Sequence, residues 1–86
     1  MPEICRFFGI VVAMWYGDHA PPHFHVFYAG SIAAFAIEPV RLLKGRLPPR
    51  ALGLVMEWAS LHTDELLADW ARAERGEPLQ RIAPLE

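Results

Sequence analysis

Two pairs of adjacent prolines, Pro21-Pro22 and Pro48-Pro49, divide this chain and restrict what each piece can become. A proline ring fixes φ at about −65° and leaves no N–H to donate, so neither pair fits inside a paired strand or a helix interior. Before and between the pairs, the residues are those of strands. Residues 4–16 are rich in Phe, Ile, Val, Trp and Tyr, which suit a pleated, buried surface. Gly17-Asp18-His19-Ala20-Pro21-Pro22 ends that run. Residues 23–29 read as a second strand and residues 32–37 as a third, joined by a tight turn at Ala29-Gly30-Ser31. Residues 40–43 form a short fourth candidate, ending at Lys44-Gly45.

The second pair has the opposite meaning, because proline is tolerated in the first turn of a helix. From Arg50 to His62 apolar residues lie nearly all round, with Arg50 and Glu57 marking one polar stripe, so this helix is covered on more than one side. Thr63-Asp64-Glu65 reads as an N-cap followed by two acids suited to the helix dipole. Leu66, Trp70 and Ala73 line one face of the second helix, and Gly76 reads as the residue just past its end. Residues 77–86 read as an extended tail whose Leu79, Ile82 and Leu85 need a surface to lie on. The expectation is α+β: a three- or four-stranded antiparallel sheet, then a two-helix hairpin packed on one face. One domain spans residues 1–86: a strand-rich half over 1–45, the hairpin over 48–75 and the tail over 77–86.

Composition narrows the class. A chain of 9.7 kDa with 53% apolar residues is not disordered, and it has more apolar surface than so small a body hides easily. That is how a homo-oligomer subunit, or a chain with a small protein partner, looks. A net charge of −2 argues against a protein coated for nucleic acid. The single cysteine, Cys5, has no internal disulfide partner and suits a reducing cytoplasm. The longest apolar run, residues 7–16, falls well short of the roughly 18 residues of a membrane span, so no membrane association is expected. The opening residues carry one acid and one base and lack a cleavage site, so export is not expected.

His19-x3-His23-x-His25 is the stretch most suggestive of chemistry. Residues two apart on a strand share a face, so His23 and His25 point the same way. His19 lies across the proline turn and folds back toward them, with Asp18 beside it. Three readings fit. His19, His23 and His25 hold a divalent metal, zinc first among the choices, with a position open for water. Alternatively, His23 and His25 act as catalytic acid and base on a phosphodiester without metal. In the third reading they are half-buried structural residues satisfying loop carbonyls.

Arg41, Lys44, Arg46 and Arg50 fall within ten residues that hold no acid. Arg46 and Arg50 are candidates for steering phosphate or nucleic acid. The plainer reading is a solvated turn, or a pair between Arg50 and Glu57. Trp15, Trp58 and Trp70 are expected in the core, although Trp58 sits on a helix that one small domain cannot cover. Trp58, Leu79 and Ile82 are therefore the candidate partner-binding residues. Cys5 is an ordinary small hydrophobe, and Ser31 and Ser60 sit in no nucleophile motif.

The segments Arg6-Phe7-Phe8-Gly9-Ile10, Asp18-His19-x-Pro21-Pro22-His23-Phe24-His25-Val26, Gly45-x-Leu47-Pro48 and Glu57-Trp58-Ala59-x-Leu61-His62 together resemble a family of small bacterial proteins, catalogued as domain of unknown function 4160. The resemblance extends over essentially the whole chain. It implies no activity. It does imply a setting: relatives are often encoded beside a small protein of domain of unknown function 2442, an arrangement that looks like a toxin–antitoxin pair. Where relatives carry charged residues in the third strand, this chain has Ile32, Ala34, Phe35 and Ala36, which leaves no carboxylate there to serve as ligand or base. Two functions follow: a protein-binding component of a toxin–antitoxin-type module, or a small hydrolase or nuclease built on the histidine cluster.

Overall fold

The computed structural model describes residues 2–86. Five strands come first: β1 (Glu3–Phe7), β2 (Ile10–Ala13), β3 (His23–Tyr28), β4 (Ser31–Ile37) and β5 (Val40–Gly45). They form one antiparallel meander in sequence order, followed by α1 (Pro49–Leu61) and α2 (Thr63–Glu74). The architecture is α+β as expected, but the sheet has five strands rather than three or four. Residues 4–16 are not one strand. Phe8 and Gly9, both at positive φ, make a two-residue turn that pairs Phe7 with Ile10. The sequence gives no sign of it, because Gly9 supplies only one of the two residues such a turn needs and Phe8 seldom adopts that conformation. The β3–β4 hairpin repeats the design at Ala29-Gly30. Glu38-Pro39, joined by a cis peptide bond, closes the β4–β5 turn.

One sheet face carries Ile10, Val12, Phe24, Val26, Phe35 and Ile37, all fully buried beneath the helices. The paired Phe24 and Phe35 stack with centroids 5.5 Å apart, and Trp58 of α1 meets Phe24 edge-on at 6.0 Å. Leu66, Trp70 and Ala73 are buried as their spacing predicted. Helix α2 ends in a Schellman motif: Gly76 at φ +71°, its amide on Ala73 O and that of Glu77 on Arg72 O. Thr63 does not cap α2; its hydroxyl donates back to Ala59 O while His62 holds the cap position.

The tail closes over the free edge of the molecule. Ile82 N–H donates to Ile4 O, Trp58 Nε1 to Ala83 O, and the Gln80 amide to Oδ1 of the buried Asp69. Trp58 and Ile82 are therefore consumed inside their own chain, and Leu79 is half-buried against the same core. The surface they needed was the protein's own, which corrects the expectation that Trp58, Leu79 and Ile82 face a partner. Trp15 departs the other way, 36% exposed on the far sheet face. No helix of the described residues is long and apolar enough to cross a membrane.

Candidate metal centre

The far face of the sheet carries His23 and His25, two apart on β3. Directly across β4 their partners are Ala36 and Ala34. Beyond β2, the turn at Tyr16-Gly17 sends the chain back over this face, and Asp18 descends onto the two rings. Asp18 Oδ2 lies 2.9 Å from His23 Nε2 and 3.3 Å from His25 Nε2. One donor atom from each of Asp18, His23 and His25 falls within 4.8 Å of the others.

The rings have little freedom. Trp15 lies 4.3 Å from the His25 ring and Trp70 lies 5.2 Å from that of His23, while the two imidazoles meet edge to face at 5.1 Å. Pro21, after a cis Ala20–Pro21 bond, presents its carbonyl 2.7 Å from His23 Nδ1. A carbonyl oxygen only accepts, so Nδ1 carries the proton, and a neutral ring then aims its Nε2 lone pair at Asp18. Two lone pairs facing each other at 2.9 Å repel unless a cation stands between them, either a proton or a metal ion. A backbone carbonyl on the far nitrogen is also how metal-ligating histidines are commonly held.

Asp18 is set by opposing influences. Partial burial pushes its carboxyl up, but the His19 amide, the His25 hydrogen bond and the charge of His23 together outweigh burial and hold it below the ordinary value. It is the better anion for that. His19 is close but outside the ligand set: its side chain is 88% exposed and its Nδ1 turns to Ala20 O, so the predicted trio of histidines becomes Asp18, His23 and His25. The sequence signal for Asp18 was the turn itself, a carboxylate five residues before His23.

The basic residues separate. Arg46 and Arg50 are exposed, and Arg46 lines a hollow with Ser31, Leu47 and Pro48, away from the histidines. Arg50 makes no ion pair with Glu57 among the described residues. Arg41 and Lys44 are the cations that share the histidine face. His62 sits apart at the α1–α2 junction, bonded to Glu65. Cys5 is buried in the core, and burial pushes its thiol up, away from reactivity.

No curated protein and no solved structure matches this chain. Residues 9–71, from the first turn through most of α2 and including the whole aspartate–histidine cluster, match the family model described as domain of unknown function DUF4160, and the chain belongs to that family.

Proposed function

We propose that Asp18, His23 and His25 hold one divalent first-row metal ion and that the chain uses it as a small hydrolase. The observation that carries this is the convergence of three donor atoms on one point, with the far nitrogen of His23 already engaged by Pro21 O. Protons on the two Nε2 atoms satisfy the same two contacts, and two nitrogens with one carboxylate oxygen are equally a metal's donor set. Ligands at zinc distances of about 2.0–2.2 Å stand roughly 3.3–3.5 Å from one another around a tetrahedral ion. The contacts of 2.9 and 3.3 Å are near that spacing, and the two histidine nitrogens, within 4.8 Å of each other, would draw together on the ion. Two nitrogens and one carboxylate oxygen suit zinc and also other first-row ions.

Three protein ligands leave a position for water, and Asp18 and His25 keep enough exposure for solvent to reach it. A metal-held water ionises near neutrality and becomes a nucleophile. His19, with its ring 5.7 Å from that of His23 and open to solvent, is placed to exchange protons with bulk water. Metal analysis of untagged protein tests the proposal. About one ion per chain in the wild type, absent from folded Asp18→Asn and His23→Ala/His25→Ala variants, is expected from a three-ligand site. Wild-type protein that takes up no metal on titration overturns it.

A second reading, the protein-binding component of a toxin–antitoxin-type module, draws support from apolar side chains left in water: Phe8, Ile32 and Leu61, the last 66% exposed. Comigration with the neighbouring gene's product, lost on Leu61→Asp, supports it; no association refutes it.

A further inference from the structure

Resting on the metal reading above, we infer that the histidine face binds a phosphoryl group, held between the metal at His25 and the ammonium of Lys44 and seated over Ala34. Sheet register makes the argument. Antiparallel partners share a face, and the ladder aligns His25, Ala34 and Lys44 in one row across β3, β4 and β5. The next row is His23, Ala36 and Arg41. Residues 41 and 44, three apart, would ordinarily face opposite sides of a strand. The register shift between Ala34 and Phe35 leaves Leu43 as an extra residue in β5, and that bulge turns both cations toward the histidines.

Alanine at the centre of each row leaves a trough. Strands lie about 4.8 Å apart, so the His25 and Lys44 backbones are separated by roughly 10 Å with only a methyl group between them. A groove of about 310 Å³ fills that gap, lined by His25, Ile32, Ala34, Lys44 and Gly45. Arg41 edges an adjoining hollow of about 280 Å³ beside Pro21, Pro22 and Ala36. Among the described residues neither Lys44 nor Arg41 takes part in an ion pair: Asp18 is committed to the histidines, and Glu38, which lines the hollow with Arg41, is not paired with it. Unpaired positive charge beside a metal selects an anion. A tetrahedral phosphoryl group has oxygens pointing in several directions, so one reaches the metal while another meets Lys44. A planar carboxylate presents both of its oxygens to one side. Hydrolysis there would join a water oxygen to phosphorus and break the bond from phosphorus to the ester oxygen, the metal supplying the acidity that ionises the water. The departing oxygen takes up the proton that the water gives up, and nothing is oxidised or reduced.

Calorimetric titration of the zinc-loaded full chain with inorganic phosphate tests the inference, with acetate as the comparison anion. Phosphate is expected to bind the wild type and to weaken about tenfold or more in Lys44→Ala, in line with the loss of one charged contact. It should recover in Lys44→Arg and weaken again in Ala34→Val, which raises the floor of the trough. Zinc affinity should stay unchanged in all three variants. Equal phosphate affinity in wild type and zinc-loaded Lys44→Ala, or acetate binding as tightly as phosphate, overturns the inference and leaves the metal site standing. A wild type that fails to bind zinc overturns both.

Discussion

The two faces of the sheet use the same strands for different ends. Along β3, Phe24 and Val26 point into the core and are fully buried, while His23 and His25 between them point to the other side. Across to β4 the contrast sharpens. Phe24 meets Phe35, large against large and stacked 8° from parallel; His25 meets Ala34, a ring beside a single methyl group. A face built only to be stable fills its centre, as the helix-covered side does. The other side places its smallest residues at the centre, between imidazoles on one strand and cations on another. The lesson is that the core fills one face and the candidate site occupies the other, the two meeting where Trp70 packs on His23, and that each face should be breakable alone.

The largest expected effect belongs to the filled face. Phe35→Ala removes one partner of the stacked pair and leaves a hole beside Phe24, at a cost of about 3–5 kcal/mol. A chain of this length has roughly 4–13 kcal/mol in all, so the variant should unfold at far lower urea than the wild type. A midpoint shift smaller than that of the variants below would mean the core is not where the burial places it. Next comes the edge of the trough. Gly45 sits at φ +80°, and a β-carbon there would stand 2.1 Å from Ile32 O. Gly45→Ala should therefore cost at least about 2 kcal/mol, the left-handed backbone alone accounting for 1–2 of it.

A smaller effect tests the strap that seals the covered face. Asp69 is fully buried, its Oδ1 accepting from Arg72 and from the Gln80 amide while Oδ2 has no hydrogen-bond partner among the described residues. Asp69→Ala strands the Gln80 amide, a loss of about 1–3 kcal/mol. Faster hydrogen exchange at Gln80 and Ile82, ahead of global unfolding, is the expected signature. Exchange confined to the global rate would show that the tail is held by Ile82 packing alone.

The sequence made the covered face legible and the open one only in part. Periodicity located Leu66, Trp70 and Ala73, and the proline pairs marked the break before β3 and the start of α1, because those signals are local. His23 and His25 were legible for the same reason, as two residues on one strand face. Asp18 as the third member of the cluster, in place of His19, depended on how the proline turn folds back. Lys44 depended on a bulge that no residue type announces, since Leu43 looks like any strand leucine. Trp58 and Ile82 were misjudged because their cover comes from opposite ends of the chain, α1 and the tail, and their contact through Ala83 is long-range. Trp15 was misjudged because an aromatic residue in an apolar run signals burial, whereas here it borders the histidines.

The smallest change in stability carries the most information about the two faces, and it needs a pair of neighbours, His25 and Val26. His25 is partly exposed, so His25→Ala should alter metal-free stability by no more than about 1 kcal/mol. Val26 is fully buried, and Val26→Ala should cost more than that. Zinc should reverse the ranking. At a free concentration 100 times its dissociation constant, zinc adds about 2.7 kcal/mol to the wild type, or roughly 4–8 °C in Tm per kcal/mol. Removing a ligand that weakens the site a hundredfold leaves about 0.4 kcal/mol of that gain by the same relation. The expected pattern is a Val26→Ala protein with a lowered Tm that zinc still raises by the full increment, beside a His25→Ala protein with a near-normal Tm that zinc hardly moves. If Val26→Ala also abolishes the increment, the metal site depends on core packing and the faces are coupled through β3. If His25→Ala keeps the full increment, zinc binds elsewhere, and the histidine face is an arrangement of hydrogen bonds around Asp18.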